Sequence, residues 1–358
     1  MKEPLSETQG ARSSTGSSGG STLGAFLRRS DTSVVLATLL LFILFAFSNS
    51  SFLTPFNLFN VARTASLYVF VALGQAIVIV IGGMNLSLGA IGGLTVVIAG
   101  WTMDTMGWSP WIGVPLALLA GTAAGFVNGF IITKSKLNSF IVTLATSFIY
   151  TGLVQGISQG FPYSNIPKDF TWLGRDDIFG IPYLFILVIL VLVLLGYIFR
   201  YTVVGRRILA TGGNLEASRL SGIRTDNIVL LCHTLSGVFA AIAGILWVSR
   251  MGSAQPSTGT DWLIVSFAVS IIGGTALSGG EFSALGIFAS AIMLTLIKNG
   301  LIMLNVNVYF EQTFLGLIIL LAVSVESIRM WLSNRARRTP GRRGQPRALH
   351  HAHDPGVQ

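Results

Sequence analysis

The chain has 358 residues, of which 52% are hydrophobic and only 10% charged, and its mean hydropathy is +0.71. Soluble domains carry roughly 25% charged residues, so this composition excludes a water-soluble globular protein and calls for lipid as the solvent of most of the chain. The single cysteine, Cys232, excludes an intramolecular disulfide and a cysteine-based zinc cluster, and the net charge of +9 is read below as a topology signal, with no nucleic-acid partner.

Residues 1–32, with STGSSGGST at 14–22, have the composition of a disordered tail. The apolar run at 34–47 follows Arg28 and Arg29 and has no clear cleavage site after it, so it is expected to be an uncleaved first span rather than a signal peptide. Further spans are predicted at 57–82, 86–103, 111–132, 139–159, 182–199, 227–250, 262–278, 283–304 and 310–331. Each comes near the ~20 residues a bilayer requires. The expectation is an all-α integral membrane bundle of about ten helices. Long continuous apolar runs argue against a barrel, and 41 glycines suit close helix packing.

Basic residues orient these spans. The N-terminal tail, the turn with Lys134 and Lys136, the loop Arg200–Arg224 and the tail from Arg329 hold 18 of the 23 Lys and Arg. The positive-inside rule then places both termini in the cytoplasm. A transmembrane domain of 33–332 and a basic, disordered C-terminal tail of 333–358 complete the predicted organisation. His350, His351 and His353 in that tail are read as solvated rather than as metal ligands.

Polar groups at membrane depth are the candidate functional residues, because an unpaired one costs roughly 2–7 kcal/mol in an apolar medium. In VIGGMNLSLGAIGG, Gly82 and Gly83 break a helix and Asn85 and Ser87 follow. This is either a capped turn between helices or part of a solute pathway like the broken helices of transporters, and the two are compatible. Thr143, Ser147, Thr151 and Gln155 recur every fourth residue. Such a stripe either hydrogen-bonds to neighbouring helices or lines a path for a neutral, hydroxylated solute. Gly121, Gly125 and Gly129 form a packing face, with Asn128 beside it as a further pathway candidate. A second break is expected at Gly273 and Gly274, in IIGGTALSGGEFSALG, which loosely echoes the first.

Ionisable residues within spans are few: Arg63, Asp104, His233 and Glu326. They form no relay of the kind that proton or sodium coupling uses. No GxxxxGK[ST] motif is present, so this chain holds no ATP of its own by that route. It is expected to catalyse no bond chemistry and to carry no cofactor or metal.

GGMNLSLGAIGG, GFVNGFIITKSKLNSFIVTLAT, GRRILATGGNLEASRLSGI and the run from IIGGTALSGGEFSALG through KNGLIML resemble the ribose, xylose, arabinose and galactose permease family of bacterial ABC importers, over about residues 30–332. The resemblance implies a ten-helix permease of the vitamin B12 importer type in the bacterial inner membrane. Its implied partners are a second permease subunit, identical or different, cytoplasmic ATPase subunits that use ATP and Mg, a periplasmic sugar-binding protein and membrane lipid. It also implies that 200–226 is the loop that docks on the ATPase, with Gly205, Arg206, Gly213, Asn214, Glu216, Ala217, Arg219 and Gly222 as the coupling residues. A short helix Leu215–Leu220, capped by Asn214 and ended by Gly222, suits that role. The chain departs from the family pattern at Asn85, where Asp is common, and at Leu263 and Val265, where an acidic pair is common, leaving Asp261 nearby. The alternatives are a related permease for branched-chain amino acids or another small solute, an ion-coupled secondary transporter, and a membrane scaffold that transports nothing.

Overall fold

A computed structural model describes residues 30–305 and a few positions between 307 and 320. The chain divides into two units, Met1–Asn305 and Val306–Gln358, and the first holds nearly all of the described residues. Most of the predicted tails and of the tenth span, with Glu326, His350, His351 and His353, lie outside the described residues.

Among the described residues, seven helices are long and apolar enough to cross a membrane. They are α2 (Pro55–Val80), α3 (Leu88–Gly100, continued by a π-turn Trp101–Thr105), α4 (Pro110–Ser135), α5 (Ser139–Ser158), α7 (Tyr183–Tyr201), α10 (Thr225–Met251) and α12 (Ala284–Met303). α1 (Ser30–Ser48) and α11 (Trp262–Ile272) are apolar as well but shorter in their apolar part. Short helices α6 (Lys168–Arg175), α8 (Val203–Gly213) and α9 (Leu215–Leu220), with a two-stranded hairpin of β1 (Asp177–Ile178) and β2 (Ile181–Pro182), complete the unit.

α2 is the axis of the bundle: every residue from Ala65 to Val80 is buried. α10, α11 and α12 pack around it. The largest interface joins α4 to α10, and glycine is its cause. A Cβ on Gly125 would lie 2.5 Å from the His233 carbonyl, and one on Gly129 3.0 Å from that of Leu230. The GxxxGxxxG face therefore brings two backbones together, and a larger residue there would overlap the facing backbone and force the helices apart.

Two helix ends are held by arginines. Arg63, on α2, reaches the Gly174 and Arg175 carbonyls that end α6, while Arg175 donates to the Arg250 and Met251 carbonyls that end α10, at 3.0 and 2.7 Å. Cations there satisfy orphan carbonyls and oppose the helix dipole.

The main difference from the predicted spans concerns 262–278. α11 has 11 residues, about 16 Å of rise where a span needs about 30 Å, and it stops at Gly273, followed by Gly274 at φ +84°. A carbon added at Gly286 would collide with the Gly273 carbonyl, so α12 packs backbone to backbone against the end of α11, and the left-handed Gly274 turns the chain out of the helix.

Candidate functional site

The segment between α10 and α11 completes what α11 lacks. Ala254 pairs with Tyr163 in an isolated bridge and lies against Gly100 of α3, Thr258 places its carbonyl against Gly93, and Gly259 places its own against Gly89. The segment thus descends along α3 by about 16 Å, eleven residues of helical rise, or half of a ~30 Å hydrocarbon core. The absence of side chains at Gly89 and Gly93 is what admits it. Non-helical backbone at such depth persists only where protein or a wet cavity satisfies it.

A cavity of about 530 Å³ lies beside this re-entrant segment, within the range of small-molecule sites. Its wall is Gly89, Ala90 and Gly93 of α3, Thr151, Val154 and Gln155 of α5, Gly160 and Pro162, and 255–260. Gln255, Ser257, Thr258 and Thr260 add amide and hydroxyl groups to those of Thr151 and Gln155, and none of the lining residues is charged. Such a surface offers hydrogen bonds to a neutral polar solute and no counter-charge to an ion.

Below the cavity wall, the first helix break is built as a closed polar network. Asn85 donates from Nδ2 to Ser236 Oγ at 2.8 Å and accepts at Oδ1 from the Ser87 hydroxyl at 2.7 Å. Asn128 donates to Ser87 Oγ at 2.7 Å, and Tyr150 donates to the Ala124 carbonyl at 3.0 Å. Asn85, Ser87, Asn128 and Ser236 have no exposed surface. The freed amides of the break are satisfied by α5: Met84 N–H donates to Ser139 Oγ and Leu86 N–H to Thr143 Oγ1, both at 3.1 Å. Four elements are pinned at one point, which makes the break a defined joint.

A third feature joins the break to the polar hairpin of 200–226. α8 ends with Gly212 against the Val80 carbonyl, close enough that a Cβ would overlap it. Gly280 N–H donates to that same carbonyl at 2.8 Å. Gly279, at φ +84°, would place a Cβ 2.7 Å from the Gly212 carbonyl and 3.0 Å from Gly82 N. Three glycine-rich stretches far apart in sequence, at 82–83, 212–213 and 279–280, thus meet backbone to backbone. Beyond them α9 projects outward. Asn214 Oδ1 accepts from Ala217 N–H at 2.9 Å, capping the helix, and Gly222 at φ +80° follows its end. Leu220 is 86% exposed, and Gly213, Glu216, Ala217 and Arg219 are exposed beside it. Gly205 is buried against α7 at Ile198 and Phe199, and Arg206 caps the Tyr201 carbonyl.

The seven residues singled out as a pathway therefore fall into separate places. Thr151 and Gln155 line the cavity. Asn85, Ser87, Asn128 and Thr143 are buried in or beside the joint, and Ser147 is half-buried and donates to the Leu144 carbonyl. The spacing explains the division: twelve residues at 100° each turn Gln155 about 120° away from Thr143. Gly82 and Gly83 form the first break, and Gly273 and Gly274 end α11. Sequence reasoning missed Gln255, Ser257, Thr258 and Thr260, whose signal is AQPSTGT, a polar stretch without charge between two apolar runs. It also missed Lys298, an ion within α12 that stands 3.6 Å from Asp261.

Comparison with known proteins adds the following. The family described as the branched-chain amino acid transport system permease component matches residues 57–323. The ribose import permease protein of Bacillus subtilis is 34% identical over 294 residues, 81% of this chain and 91% of the relative. The galactose/methyl galactoside import permease protein of Escherichia coli is 31% identical over 327 residues, 85% of this chain and 95% of the relative. The autoinducer 2 import system permease protein of the same species is 29% identical over 290 residues, covering 81% and 84%. No solved structure matches.

Proposed function

The chain belongs to the branched-chain amino acid transport system permease component family, and we propose that within it this chain is the membrane subunit of an ATP-binding cassette importer for a monosaccharide. The single observation that carries the choice of solute is the cavity wall, which presents amides and hydroxyls and no charge. An amino acid is a zwitterion and calls for charged groups or free helix ends at membrane depth. A sugar needs only donors and acceptors, and the names of the ribose and galactose relatives agree with that chemistry.

The rest of the proposal is what the family resemblance implies for this chain. The chain adopts a ten-helix permease bundle of the vitamin B12 importer type in the bacterial inner membrane, with both termini cytoplasmic. The basic hairpin of 200–226 docks on a cytoplasmic ATPase, with α9 and its exposed Leu220 as the inserted element. A periplasmic sugar-binding protein delivers solute at the opposite end. A second permease subunit covers the face of α5 that carries Phe148, Ile149 and Leu153, all exposed in the single chain.

ATP closure beneath the membrane moves α8. The glycine contacts pass that movement to the turns at 82–83 and 279–280, and the joint at Asn85 relays it to α3, one wall of the cavity. The reaction is alternation between two openings, so every residue named here binds or moves and none makes or breaks a bond.

Removing cavity hydrogen bonds tests the assignment. Thr151→Val combined with Gln155→Leu is expected to raise the KM for D-ribose or D-galactose uptake about tenfold, at roughly 0.5–1.5 kcal/mol per hydrogen bond, with normal membrane abundance. Leucine in excess should not compete. Competition by leucine, with no uptake of either sugar, would assign the chain to amino acids instead.

A further inference from the structure

Lys298 is a cation within a membrane-spanning helix, and its side chain is only 13% exposed. Ionised groups at such depth are rare and pair with one another or with polar groups. Its Nζ stands 3.6 Å from Asp261 Oδ2 and donates to the Tyr68 hydroxyl at 2.9 Å. One residue further along α12, Asn299 exchanges hydrogen bonds with Asn57 of α2, at 2.7 and 3.2 Å. The lysine is therefore mounted where α12 is clamped to α2.

Asp261 is the other half of the pair. It is the last residue of the re-entrant segment, directly after Thr260 of the cavity wall, and it occupies the N-cap position of α11 without using its side chain to cap the helix. Its carboxylate is thus available to Lys298 alone among the described ion pairs. The pair connects the cavity wall to the α2–α12 clamp and cancels a negative charge beside a cavity otherwise lined by neutral groups.

We propose that Lys298 is a positioning residue for solute binding, which acts through Asp261 to fix the 255–260 wall and to keep the cavity neutral so that it selects uncharged polyols over cations. The inference rests on the cavity being the solute site. Without the lysine, Asp261 leaves one uncompensated negative charge at the wall. The cavity then attracts cations, and the wall loses its tie to α2 and α12. Without the aspartate, Lys298 keeps Tyr68 and the local potential changes in the opposite sense.

A thiol placed at Thr260 reads this potential without reference to any transported solute. Cys232 is fully buried, so Thr260→Cys supplies the reactive site in the assembled transporter in membrane vesicles. The probes are a cationic and an anionic methanethiosulfonate of similar size, and the readout is the ratio of their labelling rates. Lys298→Met is expected to shift the ratio towards the cationic reagent, on the order of tenfold. Asp261→Asn should shift it towards the anionic reagent, and the double variant should return near the parent value. In D-ribose uptake on the native-wall protein, Lys298→Met should raise KM more than it lowers the maximal rate, with recovery in the double variant. Should Lys298→Met not reach the membrane, the opposite shift in Asp261→Asn and its reversal in the double variant carry the same test. An unchanged ratio in these variants, or shifts of the same sign in both single variants, would overturn the proposal. Labelling shifts as expected in a protein that imports no sugar would support the positioning role and overturn only the solute assignment.

Discussion

Gly212→Ala is expected to lower ATP-driven uptake at least about tenfold while leaving the chain in the membrane. The added methyl group would overlap the Val80 carbonyl and press on Gly280 N. Both are backbone atoms held in a mutual hydrogen bond of 2.8 Å, so no side chain can swing away to make room. Overpacking of this kind costs typically 1–3 kcal/mol, and about 1.4 kcal/mol is already a factor of ten. The neighbouring Gly213 provides the contrast, since a Cβ there meets nothing within 4 Å in the chain. Gly213→Ala should leave the fold intact, whereas a bulky residue at Gly213 together with charge reversal at Glu216 should disturb only the docking of the ATPase. Uptake and ATP hydrolysis measured together separate the two cases: hydrolysis that continues without uptake marks a broken transmission. Wild-type uptake in Gly212→Ala would remove the glycine contacts from the mechanism.

Gly89→Val is expected to abolish uptake for a different reason. Its side chain would occupy the position of the Gly259 carbonyl, and the re-entrant segment would have to leave the α3 face. That displaces Ser257, Thr258 and Thr260 from the cavity wall and exposes backbone polar groups that lipid cannot satisfy. A glycine in open space gives the control. Gly196, in the interior of α7, has nothing within 4 Å of its Cβ direction, and Gly196→Ala should be neutral or slightly stabilising. Uptake and thermal stability of the purified protein, compared for these two substitutions, distinguish the specific contact from a general sensitivity of glycines.

Much of this architecture is legible in the sequence because membrane physics leaves few choices. Long apolar runs between 55 and 303 become helices, since each backbone group in lipid must find an internal partner. Gly82 and Gly83 read as a break because Asn85 and Ser87 follow them, and Leu215–Leu220 reads as a helix because Asn214 and Gly222 supply its cap and its stop. The re-entrant segment is not legible in the same way. Residues 251–261 are short enough to pass for an outer loop. Only contacts with Gly89, Gly93 and Gly100, 154 to 170 residues away in sequence, show that the segment goes down rather than across.

The same limit applies to α11 and the polar stripe of α5. The apolar run from 262 has the length of a full span, but the helix ends after 11 residues at Gly273, followed by the left-handed Gly274. Spacing of four places Thr143 and Gln155 on a single stripe, yet a pitch of 3.6 residues carries one into the joint and the other into the cavity. Asp261 appears isolated in the sequence because its partner, Lys298, belongs to another helix. Pairings across helices depend on packing, and packing depends on every glycine that lets two backbones touch.

The central claim is that this chain supplies a path and a transmission, while the work comes from an ATPase that grips the 200–226 hairpin. Vesicles containing the permease subunits with and without the ATPase, loaded with ATP and given labelled D-ribose or D-galactose together with the binding protein, test it most directly. The account predicts accumulation above the external concentration only when the ATPase and hydrolysable ATP are both present. Uphill accumulation in vesicles that lack the ATPase would contradict it.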